Sequence, residues 1–123
     1  MLIEATPRDA AALAALLPDD GANSNELPVA RSVRVTGRVV PSPEGTTVRY
    51  RGMQEFRGAD IAPVLQFILD VGATVTGTVI AAWLVGKFRG RASRVTINRR
   101  EIDLDDEGQV RRIVEEEVKI RPE

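Results

Sequence analysis

Apolar and polar positions change their period along this chain, and each change marks an expected element. Leu2 to Ala5 is a short apolar run that predicts a strand. Thr6-Pro7-Arg8-Asp9 then predicts a helix start: Thr6 offers a capping oxygen, Pro7 tolerates the first helical position, and Asp9 lies near the positive end of the dipole. Ala10, Leu13, Ala14 and Leu17 share one face at helical spacing, and Pro18 to Gly21 ends the helix before a polar loop. From Val29 to Val40 the period shortens. Val33, Val35 and Val39 are mostly separated by Arg34, Thr36 and Arg38, the alternation of a half-buried strand. Residues 41–45, "PSPEG", supply a turn, and "TTVRYRGM" returns as a partner strand with Val48 and Tyr50 on one side.

The longest pattern follows. Asp60 offers a cap, Pro63 suits a first turn, and Val64, Ile68, Val71, Val75 and Val79 recur at spacings of three and four. That spacing predicts one helix from Ile61 to about Phe88, weakened at Gly72 and Gly77. Beyond it, "SRVTI" and "EIDL" flank the polar turn Asn98-Arg99-Arg100 as a second hairpin. Leu104-Asp105-Asp106-Glu107 starts a closing helix whose apolar face is Val110, Ile113, Val114 and Val118. The expected architecture is a small single α+β domain over residues 1–123. Its parts are an N-terminal β-α-β-β part (1–57), a long small-residue-rich central helix (58–90) and a β-β-α part (91–120), with two short hairpins and flanking amphipathic helices.

The central helix admits two readings. Val71 to Gly86 passes without a formal charge, and Trp83 sits beside Lys87, Arg89, Arg91 and Arg94, as in an interfacial anchor. Against a membrane span, sixteen uncharged residues fall short of the roughly 20 needed, and Asp70 would be costly near a bilayer centre. Burial in protein explains the same pattern. In either environment Ala73, Gly77 and Ala81, four residues apart and joined by Trp83, predict a helix-to-helix contact and a homo-oligomer.

Composition narrows the chemistry. The chain has no cysteine, hence no disulfide or thiolate metal site, and no histidine, the commonest general base and metal ligand. None of its serines has a histidine to activate it, and neither Lys87 nor Lys119 stands in a phosphate-binding loop. No catalytic, cofactor or metal site is expected, and so no enzyme. The net charge of −1 exerts no general pull on nucleic acid. The basic patch Lys87, Arg89, Arg91, Arg94 carries one aromatic, Phe88, and precedes an acidic stretch that can pair with it, which argues against a nucleic-acid contact. The acids of residues 103–107 fit a helix start, and their spacing is not that of a calcium loop. With no basic, apolar leader at Met1, the expected location is cytoplasmic, with membrane association through residues 61–88 as the alternative.

A short N-terminal β-α unit, a small-residue-rich helix ending in "AAWLVGKFRGR", and then "SRVTINRREIDLDDEGQVRRIVEEE" together resemble the effector-associated constant component family of bacterial, mostly actinobacterial, conflict systems. The resemblance is densest from about Asp60 to Glu117. It implies a non-catalytic accessory or adaptor component in defence, encoded beside a variable effector such as a peptidase and coupled to it by protein–protein contacts.

Overall fold

A computed structural model describes residues 1–18, 28–55 and 63–120. The described strands are β1 (Leu2–Pro7), β2 (Val39–Val40), β3 (Thr46–Glu55), β4 (Pro63–Val71), β5 (Ala92–Ile97) and β6 (Arg100–Ile102). The described helices are α1 (Ala10–Leu16), α2 (Pro28–Val35), α3 (Gly77–Phe88) and α4 (Glu107–Ile120). The strands form one antiparallel sheet in the order β2-β3-β4-β1-β5-β6. The fold is therefore mixed α+β, as the periodicity predicts, and both short hairpins are present as β2–β3 and β5–β6.

A single core lies between the sheet and the helices. Alternate strand residues point into it: Ile3 and Ala5, Val48 and Tyr50, Leu65, Phe67 and Leu69, Val95 and Ile97, and Ile102. They meet Leu13, Leu16 and Leu17 near α1, Val35 of α2, Ile80, Ala81, Leu84 and Phe88 of α3, and Val110, Ile113 and Val114 of α4. All four described helices thus cover the same face of the sheet, in a two-layer arrangement. Tyr50, Phe67 and Phe88 run through the middle as tilted and edge-on rings, with centroids 5.4 and 5.8 Å apart.

The long central helix does not form. Residues 63–71 are instead strand β4, in the interior of the sheet between β3 and β1, and only Gly77 to Phe88 is helical. A strand covered on one face ordinarily alternates, but the other face of β4 carries buried Val64 and half-buried Ile68 as well, so the strand is apolar at most positions and imitates helical spacing. Val64 and Ile68 are four apart and so also share a face in a strand. What stops the chain is Gly72, whose N–H donates to the Gly45 carbonyl at 2.8 Å. A Cβ at Gly72 would lie 2.7 Å from that oxygen, so the approach needs glycine. Thr76 then caps α3 by accepting from the Val79 amide. The expected cap Asp60 and helix start Ile61 lie outside the described residues, as does the rest of the turn after Pro18.

Two smaller expectations also change. Pro7 ends β1, and Asp9, not Thr6, caps α1 by accepting from the Ala12 amide at 2.7 Å. The buried face of α1 is consequently Ala12, Leu13 and Leu16, while Ala10 and Ala14 are exposed. The Val29–Val40 strand shrinks to β2, because residues 28–35 form α2. In that helix Ser32 and Val35, three apart, face inward and Val33 faces solvent. Arg31 ties α2 to the end of α1 by donating to the carbonyls of Ala14 and Pro18.

Ser32 also anchors α2 to the sheet through a hydrogen bond between its hydroxyl and that of Tyr50, both buried. Either single replacement, Ser32→Ala or Tyr50→Phe, leaves one buried hydroxyl without a partner and is expected to cost about 1–3 kcal/mol. The double variant should lose less than the sum of the two, read by denaturant unfolding. Burial raises the Tyr50 pKa above its ordinary value of 10.0, with the Ser32 hydrogen bond opposing. The folded state therefore holds this proton where the unfolded chain releases it. The resulting stability is fully present below about pH 10 and is lost as pH climbs through the raised value. Tyr50→Phe removes that part of the alkaline loss, so wild type should fall toward the variant as pH rises.

Candidate functional site

The second face of the sheet carries none of the described helices. The strand register arranges its side chains in cross-strand rows. In one row Val39 of β2, Arg49 of β3, Ile68 of β4 and Leu2 of β1 stand side by side. Val39 is 55% exposed, while Leu2 and Ile68 are half-buried. The neighbouring row is polar: Gln66, Glu4, Thr96 and Glu101, with the Gln66 amide donating to the Glu4 carboxylate at 3.2 Å. Beside these rows Glu4, Thr6, Val64, Arg94, Thr96 and Arg99 line a cavity of 190 Å³. Val39, Ile68 and Leu2, with the exposed Arg49 standing between Val39 and Ile68, give this face a mixed apolar and polar surface beside an indentation of side-chain size, a composition also found at protein contacts.

The residues singled out in the sequence are distributed elsewhere. Ala73 lies in the turn after β4 and is exposed, Gly77 opens α3 against α4, and Ala81 is buried in the core. They do not form one helical stripe. A Cβ at Gly77 would meet the Glu115 side chain at 2.5 Å, so the small residue there admits α4 of the same chain. Trp83 is edge-on to Phe88 and donates its indole N–H to the Pro41 carbonyl at 3.1 Å, joining α3 to the turn that follows β2.

The basic patch is likewise taken apart. Lys87 turns inward, with its amine 5.5 Å from the Phe67 ring centroid, 5.8 Å from Phe88 and 6.0 Å from Trp83. Burial, and secondarily the Arg91 charge, hold its pKa below the usual lysine value. Arg91 closes the end of α3 by donating to the carbonyls of Gly86 and Lys87. Arg89 pairs with Asp105 at 3.1 Å and Arg94 with Glu101 at 3.5 Å. Arg89, Arg94, Glu101, Asp103, Asp105 and Gln109 line a polar cleft of 480 Å³, spanned by these pairs.

The acids after β6 are engaged with backbone. Asp106 accepts from the Gln109 amide at the start of α4, Asp103 accepts from the Asp105 amide, and the Asp103 amide donates to the Gln109 side chain. Among the described residues no group of three acidic side chains gathers as around a metal ion. Nor is any described helix long and apolar enough to cross a membrane. At 12 residues α3 extends only about 18 Å against a hydrocarbon core of roughly 30 Å, so the proposed 61–88 membrane helix does not exist.

Comparison with family models, with curated proteins and with solved structures gives no match. The cross-strand rows of this face are not among the residues the sequence points to. Its signal was present in "PVLQFILDV", where Gln66 and Asp70 fall on one parity and Leu65, Phe67 and Leu69 on the other.

Proposed function

We propose that this chain is a non-catalytic accessory component, an adaptor of a bacterial conflict system that couples to an effector protein and self-associates through protein–protein contacts. The observation that carries this reading is the sheet face on which none of the described helices packs, with its row of Val39, Arg49, Ile68 and Leu2. A face of that kind gives a partner's apolar side chains something to bury against and gives polar groups on either side a fixed register. The family resemblance of the central and C-terminal segments supplies the defence context and the kind of partner, an effector encoded nearby.

The reading is tested by purifying the tagged chain from its native cell and identifying co-purifying proteins by mass spectrometry. An effector-type protein encoded beside it, recovered in fixed proportion, is the expected result. Recovery of the chain alone, across expression levels and after cross-linking in the cell, would reject the adaptor role.

A further inference from the structure

A second surface lies at the edge of the sheet. β2 pairs with β3 through Val39 and Val40 only, and Gly37 and Arg38 add the last bonds, to Tyr50. A β-bulge follows, between Tyr50 and Gly52. Beyond it the alternation of an antiparallel ladder turns the amide and carbonyl of Met53 and of Glu55 away from β4 and outward. Among the described residues nothing bonds to Met53 or Glu55 on that side. Alongside this edge runs α2, and between the two lies a groove of 310 Å³ lined by Ser32, Val33, Thr36, Gly52 and Met53. Val33 is 74% exposed, the most exposed large apolar side chain among the described residues, and it forms the outer wall.

We propose that the groove between α2 and the outer edge of β3 binds an extended acidic peptide segment of a partner protein, which adds to the sheet as a further strand. The backbone supplies the pairing, in the manner of strand addition at an open edge, and the Val33–Met53 groove accepts one apolar side chain. Charge selects the occupant. Residues 28–55 contain five arginines, at 31, 34, 38, 49 and 51, against Glu44 and Glu55, although the whole chain has a net charge of −1. Arg38 and Arg51 flank this edge, are exposed and meet no carboxylate among the described residues. An acidic strand relieves this local excess of like charge; a basic one adds to it. The inference rests on the adaptor reading only in taking the occupant to be a protein segment. An adaptor with a sheet face for one contact and an edge groove for another joins two components.

The test uses the full chain and two synthetic ten-residue peptides, one alternating valine with aspartate and glutamate, the other identical but with lysine for every acid. The acidic peptide should bind in a salt-sensitive manner, slow amide exchange at Met53 and Glu55, and leave the lysine peptide without detectable binding. Val33→Glu and Arg51→Glu, at exposed positions where thermal unfolding should not change, should each weaken the acidic peptide about tenfold or more. Equal binding of the two peptides, no binding of either, or binding untouched by both variants would overturn the proposal. So would a wild-type oligomer that becomes monomeric on Val33→Glu, since the occupant would then be a second copy. Loss of this proposal leaves the native-cell purification result standing, so the two readings fail separately.

Discussion

Replacing Ile113 with aspartate is expected to leave the chain unfolded or aggregated. Ile113 is buried on the inner face of α4, and the neighbours of its side chain belong to an apolar core that includes Val110, Val114, Ile80 and Ile102. A carboxylate there is set among apolar side chains and must either stay charged away from solvent or take up a proton. Either course costs several kcal/mol, a large share of the roughly 5–15 kcal/mol that holds a domain of this size together. Circular dichroism and the soluble yield read the result. A soluble variant with wild-type melting would show that α4 does not seat on the sheet through this face.

The second large effect is expected at Phe67. This residue is on β4, an interior strand, fully buried, and its ring lies between those of Tyr50 and Phe88. Phe67→Ala removes the ring and opens a cavity bounded by a sheet that cannot collapse around it, which costs about 3–5 kcal/mol. The Lys87 amine also loses one of its three ring neighbours. Denaturant unfolding of the variant should show the midpoint reduced accordingly. A loss below about 1 kcal/mol would be at odds with residues 63–71 being an interior strand, since a solvent-facing position tolerates such a change.

The parts of this fold that could be read from the sequence are those in which periodicity and turn chemistry agree. The closing helix is an example: Asp106 stands where a cap is needed, and Val110, Ile113 and Val114 recur on one face. The β5–β6 hairpin is another. Asn98 and Arg99 both adopt positive φ, 48° and 71°, as a two-residue hairpin turn requires. Asn98 further bonds to Leu2 on β1 and to Glu117 on α4, so the turn is fixed from two sides. Where the reading fails, the reason is burial. In β4 the pressure to be apolar erases the alternation that distinguishes a strand, leaving only Gln66 and Asp70 to mark the outer face. In α2 the opposite happens: Val33 and Val35 stand on either side of Arg34 as in an alternating strand, yet the segment is helical, with Ser32 bonded to Tyr50 inside and Val33 exposed.

The candidate surfaces follow the same division. The basic run looked like a patch because its charges are adjacent in sequence. In space each cation is directed differently: Lys87 to rings, Arg91 to helix carbonyls, Arg89 and Arg94 to carboxylates. The face without described helices is the reverse case, assembled from β1, β2, β3 and β4, whose residues are far apart in the chain and become neighbours only through strand order and register. Locally it is marked only by Gln66 and Asp70, on one parity of β4.

Val39→Glu tests most directly whether that face acts as a contact surface. Val39 is exposed at the edge of the sheet, so the change leaves the core alone and should leave the melting temperature within the range of surface substitutions. The measurement is quantitative capture of the native partner by wild-type and Val39→Glu chains expressed at equal levels in the same cells. Capture by wild type and its loss, about tenfold or more, with the variant is the predicted result. Equal capture by the two, with both folded, would contradict the assignment of that face as the adaptor's contact surface.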